Sequence, residues 1–429
     1  MAKTRTIIAA GLALLLAACT PGNNPDPKDQ SNVVDAMPKS AKRGVSFNFN
    51  QITDLPLLSP YISWDYNWGN TPTDDAALWF DANEMDFCPM CWNGSYSADR
   101  IRAFVAAHPK TKYLLAFNEP NLTDQANMTP AQAAALWQPV VALAKELNLK
   151  LVSPAMNYGT LSGYSDPIKW LDEFFAQPGV SIDDIDAIAI HCYMSSPSAV
   201  KSYVERFEKY NKPIWMTEFC AWDPAPGSYN TQMDYMCAVL HHFEQNPKVE
   251  RYAWFMPRMS GKVESVPYNQ LLDHNYPAAL TELGKLFCHF SPMNSNVWIR
   301  ANRPIYAHEY TRVQNDNMSL RPSNDTWMQE STGREGLMIT NFAEGQQLSY
   351  QLYVPAYTTQ FTLRYASYAN SICELLVDGQ SQNFINMPRN GSITEWTTAT
   401  INQPLSAGKH TITLSLFSGS CSLSAIQIQ

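Results

Sequence analysis

Beyond its first twenty residues the chain has no run of eighteen uncharged apolar residues, so no later segment is long enough to cross a bilayer as a helix. Basic residues are few: 30 Lys and Arg against 39 Asp and Glu leave a net charge of −9. That excludes the concentrated positive surface a nucleic-acid partner needs. One CxxC, Cys88 with Cys91, has no second copy, so no zinc site is expected. His241 and His242 sit on a predicted helix with no acidic or cysteine companions, and neither metal nor cofactor is expected. No glycine-rich phosphate loop follows the first predicted strand, and there is no internal repeat or low-complexity tract.

What is present starts with an export segment. "MAKTRTIIAAGLALLLAACT" has Lys3 and Arg5, an apolar run from Ile7 to Ala18, and then Cys19. The "LAAC" of Leu16 to Cys19 resembles the lipobox of bacterial lipoproteins. The resemblance implies removal of residues 1–18, lipid on the Cys19 thiol and a membrane anchor that spans nothing. Thr20 in place of an acidic residue implies, by the same likeness, the outer membrane of a bacterial envelope. Residues 19–40, rich in Pro, Asn and Asp, are expected to be a flexible tether. Nine cysteines less Cys19 leave an even number in an oxidising compartment, and Cys373 with Cys421 is the expected disulfide.

From Gly44 short apolar strands recur, among them 44–49, 61–68, 85–92, 113–121, 150–157, 185–193, 213–222 and 251–258. Amphipathic helices separate most of them, most clearly over 129–148 and 230–246. Thr129 is placed to cap the first of these, with Pro130 at its first position and Asn148 at its end. Strands alternating with helices predict an α/β fold, a (β/α)8 TIM barrel over 41–292, in preference to a doubly wound open sheet. After "FSPMNSNVW" the pattern changes to alternating strands with Gly, Asn and Pro at the turns and no helix. Residues 297–429 are therefore expected to form an antiparallel, jelly-roll-like β-sandwich.

Two of the barrel strands end in an unusual way. "KYLLAFNEPN" runs apolar from Tyr113 to Phe117 and then delivers Asn118 and Glu119; "PIWMTEFCAW" delivers Glu218. In a parallel barrel these tips, the fourth and seventh, share one face, so two carboxyls are expected across a common cleft. Paired carboxyls with unequal proton affinity are what glycoside hydrolysis needs: one protonates the leaving oxygen, the other attacks or activates water. Other candidates lie on the same face: Trp254 ending strand eight, His191 and Tyr193 on strand six, Trp92 at the tip of strand three. On strand two Trp64, Tyr66 and Trp68 share one side and Asn67 takes the other; Trp64, Asn67 and Trp68 are carried as substrate-binding candidates.

"FNEPN" and "WMTEF", with "ISWDYNWG" (62–69), "FCPMCW" (87–92), "AIHCY" (189–193) and "YAWF" (252–255), resemble glycoside hydrolase family 128, the Asl1-like catalytic domain, across essentially the whole barrel. The resemblance implies a retaining endo-β-1,3-glucanase acting on laminarin-type glucan, with Glu119 as acid/base, Glu218 as nucleophile and Asn118 bonded to the sugar 2-hydroxyl. Tyr193 is then expected to bond the nucleophile and His191 a sugar hydroxyl. The alternatives are a hydrolase of another β-glycan, such as mannan or mixed-linkage glucan, and a surface glycan-binding lipoprotein without catalysis. Residues 300–429 resemble a family 6 carbohydrate-binding module, with departures. Tyr306 and His308 stand where that family has calcium-binding glutamates, and Gln347 and Ile393 stand where it has sugar-stacking aromatics. A monomer whose partners are a β-glucan and, through Cys19, a membrane is expected.

Overall fold

The computed structural model describes residues 29–258, 268–275, 277–315 and 318–429; the export segment and Cys19 lie outside them. Eight parallel strands build the N-terminal part: β1 (Arg43–Ser46), β2 (Trp64–Tyr66), β3 (Asp86–Phe87), β4 (Tyr113–Leu115), β5 (Lys150–Val152), β6 (Ile188–Met194), β7 (Ile214–Asp223) and β8 (Val249–Trp254). The closed barrel expected from the sequence is not found as one continuous sheet. Six pair in the order β3-β2-β1-β8-β7-β6, and β4 pairs with β5 alone. At the two seams stand single parallel bridges, Met90 with Leu115 on one side and Val152 with Ala187 and Met156 with Ile190 on the other. The strands are short there, two or three residues, so little ladder can form across a seam.

Helices between the strands begin at polar caps: Thr73, Ser97, Thr129, Asp166, Ser196 and Ser228 each accept a bond from the first turn. The helix expected over 129–148 is two, Pro130–Ala135 and Trp137–Glu146, hinged at Leu136. Pro139 explains the break, because it offers no N–H to Ala135 and its ring crowds that carbonyl. The inner faces of the strands meet in a cluster of Trp64, Tyr66, Cys88, Met90, Tyr113, Leu115 and Trp215. Beneath them the Arg251 guanidinium lies 4.4 Å from the Tyr113 ring centre and 4.7 Å from that of Trp215.

The C-terminal part is two mostly antiparallel sheets, of seven and six strands, consistent with a sandwich. Strand Gln347–Val354 shows why: Leu348, Tyr350 and Leu352 are buried while the residues between them are half-exposed. A helix, Thr326–Thr332, interrupts what was expected to be all strand; Gly333 ends it at φ 68°, a conformation that costs glycine least. Two further expectations fail. Cys373 and Cys421 sit on strands of opposite sheets and both are free and buried, like the other described cysteines. Burial pushes the Cys373 thiol up to about 12, so it packs as a small apolar group. Within the expected tether, Val33–Val34 pairs with Trp298–Arg300, and Lys409 reaches Asp29 and Ser31; this described stretch is held against the sheet.

The two parts are joined by polar bonds, exposed at Asp234 and buried at His241. Ser319 and Arg321 reach Asp234, each at 2.8 Å, and Tyr310 meets His241 at 2.6 Å. Arg43, 1% exposed, anchors the strand floor to the last helix of the N-terminal part, Glu282–His289, and to Phe290 just after it. It donates to Tyr252, to the carbonyls of Phe287, Cys288 and Phe290, and to Glu244 at 3.1 Å. Removing one partner of such a pair leaves a buried charge uncompensated. Arg43→Met is therefore expected to destabilise the fold by about 3–5 kcal/mol, read as a fall in Tm. An unchanged Tm would mean that solvent reaches Glu244.

Candidate active site

Glu119 lies just beyond β4 and is fixed by its backbone. Asn118 N–H donates to Trp92 O at 2.9 Å and Glu119 N–H to Ala155 O at 3.0 Å, so the tip is tied to both neighbouring strands. This holds Glu119 at φ 43°, a left-handed conformation an L-residue keeps only where its surroundings impose it. Trp68, two residues past β2, is held likewise at φ 60°. Glu218 lies within β7, where the register shifts against both neighbours, between Ile190 and His191 on one side and between Met216 and Phe219 on the other. Irregularities of this kind re-aim a side chain; here they set Glu218 opposite His191.

The three side chains form one buried group. His191 Nδ1 lies 2.8 Å from Glu119 Oε1 and 3.5 Å from Glu218 Oε2, and the imidazole is fully buried. Asn157 Nδ2 donates to Glu119 Oε1 at 2.9 Å. Glu218 Oε1 accepts from Tyr66 at 2.9 Å and Trp68 Nε1 at 2.7 Å, and the Tyr193 hydroxyl donates to Oε2. One ligating atom from each of Glu119, His191 and Glu218 lies within 4.8 Å of the others. Among the described residues this is the one group able to hold a metal ion. Glu218, however, already accepts from three neutral donors, and Glu119 Oε1 from Asn157 and His191, so these atoms hold protons between them.

Electrostatics separates the two carboxyls. Burial pushes Glu119 up, but the His191 charge, its hydrogen bond and the Asn157 amide outweigh that and hold it below its ordinary value. At Glu218 burial prevails; the Glu119 charge adds to it, while His191, Tyr193 and Trp68 pull the other way. Burial lowers His191, yet Glu218 and Glu119 together raise it above the usual imidazole range. The cluster's first proton therefore belongs to the histidine, shared with Glu119 along their short bond. The split between the carboxyls thus comes from burial and the Glu119 charge at Glu218, and from the His191 and Asn157 bonds at Glu119, where the sequence pointed to mutual repulsion alone.

Above the group opens a cleft of about 550 Å³, lined by Trp68, Trp92, Asn118, Glu119, Tyr193 and Glu218 among the expected residues. Four other expectations are corrected. Trp64 is fully buried: its indole lies over Gly44, where a Cβ would come within 2.4 Å of it, and it donates to Lys42 O. It is the floor of the stack of which Tyr66 and Trp68 are the upper layers. Trp254 is fully buried, donates to Asn269 O and packs edge-on against Phe219, 5.1 Å away. It is Phe255, one residue on and so on the other face, that enters the cleft. Asn67 faces away from the carboxyls and bonds Gly69 N–H, Thr71 O and Asn48. His191 lies beneath the glutamates, out of reach of any sugar hydroxyl in the cleft.

Asn157, Gln125, Leu122, Trp222, Phe255 and Met256 complete the lining and were not expected; Tyr66 was placed on the right face but given no role. Asn157 carries the signal that revealed Glu119, a polar residue closing the apolar stretch "KLVSPAMN". Trp222 stands four residues past Glu218, on the same side of β7 by the two-residue period. Phe255 forms the hub of an aromatic wall, 5.8 Å from Trp68, 5.5 Å from Tyr193 and 5.9 Å from Trp222.

The glycosyl hydrolase catalytic core family matches residues 44–287, more than half of the chain and all of the strands that build this cleft. A family 128 (subgroup II) endo-β-1,3-glucanase from Pseudomonas viridiflava is 38% identical in sequence; the match covers 58% of this chain and 98% of that one, with a TM-score of 0.53. A second enzyme of that description, from Sorangium cellulosum, is 33% identical over 58% of this chain and 97% of its own, with a TM-score of 0.51. Alkali-sensitive linkage protein 1 of Schizosaccharomyces pombe is 26% identical over 58% of this chain; the match spans 44% of that protein, under half its length. With the catalytic core matched across every strand of the cleft and two solved enzymes covered nearly end to end, this chain belongs to glycoside hydrolase family 128.

Proposed function

We propose that this protein hydrolyses β-1,3-glucan with retention of configuration, by attack within the chain, and that its eight parallel strands work as a (β/α)8 barrel. One observation carries the reading: two glutamates at the ends of strands four and seven, with carboxylate oxygens within 4.8 Å of each other over a shared histidine. Retaining enzymes hold their carboxyls about 5–5.5 Å apart, too close for an intervening water. The substrate class rests on the solved relatives, both described as endo-β-1,3-glucanases.

Glu218 is the nucleophile in this reading. It accepts three bonds from neutral donors, Tyr66, Trp68 and Tyr193, which orient the carboxylate without giving up a proton. Glu119 is the acid/base. Of the pair that shares the proton it is the one that lines the cleft, and both its protein bonds fall on Oε1. When the His191 Nδ1 proton passes to Glu119, the buried imidazole becomes neutral and keeps its remaining N–H at Nε2. Glu119 becomes neutral, and the charge that raised Glu218 is gone. Glu218 then attacks the anomeric carbon, the C–O bond breaks, and Glu119 gives its proton to the departing oxygen. Glu119, ionised again, takes a proton from the water that cleaves the glycosyl-enzyme ester. Asn118 Oδ1, buried without a protein partner, is placed to receive the sugar 2-hydroxyl.

The C-terminal region is read as a brace for the hydrolase, on the evidence of its bonds to Asp234 and His241. Tyr306 and His308, at the calcium positions of the module it resembles, serve the fold: Tyr306 donates to Arg334 O, and burial pushes the His308 imidazole down to about 3. From sequence alone, Cys19 is proposed to carry a lipid that anchors the protein to the outer membrane.

A polysaccharide panel tests the activity: laminarin, curdlan, mannan, xylan and mixed-linkage glucan, with product sizes read by chromatography. Laminari-oligosaccharides of mixed length are expected from the first two alone, and Glu218→Gln is expected to abolish their release. Silence on every β-1,3-glucan would refute the reading.

The pH profile tests the proton assignment. Glu218 must be ionised and lies above the ordinary 4.5, so the acid limb of kcat/KM is expected above pH 4.5. The His191 charge lowers Glu218, so His191→Gln is expected to move that limb to higher pH. An unmoved limb would show that His191 does not share its charge with the nucleophile.

A further inference from the structure

A recess of about 750 Å³ lies between the two parts, at the end of the parallel strands where the chain enters them. Its floor is residues 39–42, which lead into β1, with Glu244, Gln245 and Pro247, which lead into β8. The catalytic cleft is at the other end of those strands. The roof is the outer face of the seven-stranded sheet. In strand Gln347–Val354 the buried Leu348, Tyr350 and Leu352 point into the sandwich, so Ser349 and Gln351 are turned out into the recess. Arg312 lies opposite Ser349, and Thr411 opposite Gln351, on the neighbouring strands of the same sheet.

Three cations and one acid line this space: Lys39, Lys42, Arg312 and Glu244. The acid is already neutralised, by Arg43 at 3.1 Å, and accepts from Tyr252 at 2.5 Å and Ser40 at 3.0 Å. Lys39 donates to the carbonyls of Ser59, Asn83 and Glu84, and Lys42 to those of Phe243, Glu244 and Asn246. Both therefore lend the recess charge but no free N–H. Arg312 differs: its exposed guanidinium has no hydrogen-bond or ion-pair partner among the described residues. Gln351 Oε1, on the same face, is buried without a partner. No aromatic ring lines the recess; its other polar groups are hydroxyls and amides. In a chain of net charge −9 this is a positive hollow, and its two unmet groups ask for different things. The guanidinium needs an anionic acceptor, and the amide oxygen needs a hydroxyl that donates. Diagonal neighbours on a sheet stand about 7–8 Å apart, a gap one sugar ring can bridge.

We propose that this recess is a second ligand site, remote from the active site, for an acidic sugar: a hexose unit bearing a carboxylate or a phosphate, with its acid group on Arg312 and a ring hydroxyl donated to Gln351 Oε1. An anion without hydroxyls leaves Gln351 unmet, and a neutral sugar leaves Arg312 unmet, so the pair of groups selects a ligand that has both. Because one wall belongs to each part of the molecule, the ligand bridges them, and its binding stabilises the joined state by mass action. Neither Glu119 nor Glu218 takes part, so the site stands independently of the hydrolase reading.

The test is titration calorimetry of the full-length protein with glucuronate, glucose 6-phosphate, glucose and inorganic phosphate. Binding is expected for at least one of the two acidic sugars, and which of them binds tells carboxylate from phosphate. Glucose and inorganic phosphate, each lacking one of the two groups, are expected to bind roughly tenfold more weakly or worse. Arg312→Gln is expected to weaken the acidic sugar by roughly tenfold or more while laminarin hydrolysis stays unchanged. Gln351→Leu, which takes no bond from the fold, is expected to weaken it as well, and the Tm of each variant without ligand checks that folding is intact. Glu218→Gln is expected to bind as the parent protein does. Four results would overturn the site: no binding of either acidic sugar, equal binding of glucose or phosphate, undiminished affinity in Arg312→Gln, or loss of binding in Glu218→Gln, which would put the ligand in the cleft.

Discussion

Two carboxylates placed this close in a buried site repel one another, and what holds them there is the imidazole of His191. It lies below both, bonded to one and within ion-pair distance of the other. The remaining features of the site serve that contact. The irregular register of β7 brings Glu218 level with His191, and the bonds from Asn118 N–H to Trp92 O and from Glu119 N–H to Ala155 O hold Glu119 in a backbone conformation it would not choose. Tyr66, Trp68 and Tyr193 satisfy Glu218 with hydroxyl and indole donors, so a charged group can persist in an almost dry place. Because every member is a partner of another, loss of one exposes a second, and the group is expected to respond to substitution as a unit.

The histidine also decides what the two acids can do. A pair separated only by mutual repulsion would share one proton symmetrically, with no preference built in. Here the imidazole touches Glu119 through its shortest bond, and in the proposed mechanism that bond makes Glu119 the path by which a proton reaches the cleft. Glu218 is surrounded by donors that cannot leave, which suits a group that must meet carbon. The division of labour follows from which neighbours can release a proton and which cannot.

The sequence made the glutamates visible because burial and charge conflict there: an apolar strand has no reason to end in a carboxylate except chemistry or solvent, and two such ends in one barrel favour chemistry. The aromatic residues carried no such conflict. Trp64 and Trp68 have the same side-chain type and the same parity on β2, yet one is floor and the other cleft wall. Height along the strand separates them, and it depends on Gly44 leaving room for an indole below. Trp254 and Phe255 were separable only by knowing which face of β8 looks inward, a single-residue matter that a short strand does not settle. Cys373 and Cys421 had the right context for a bridge, but their partners lie across two sheets whose order is not written in local pattern. Pro139 sets the helix break, since its missing N–H and its ring act at fixed distance, but the amphipathic pattern on both sides carried the reading of 129–148 straight through it.

Asn67 shows how a wrong position can still point to a real feature. It was attached to the substrate because it is polar and near the tip of β2; the pleat turned it outward, away from the carboxyls. There it supports Asn48, and with Asn48 the rim of a pocket that continues the cleft beyond Trp68. A strand whose alternate residues serve the reaction on one side and a neighbouring turn on the other ties the two in geometry. Shifting β2 by one residue would place Asp65 and Asn67 under Glu218 and carry Tyr66 and Trp68 out to the rim. The nucleophile would then lose two of its three donors and gain the buried Asp65 carboxyl, itself raised by burial and without a charged partner, as a neighbour. The register of one three-residue strand is thus what keeps donors, and not another acid, beneath the reacting carboxylate.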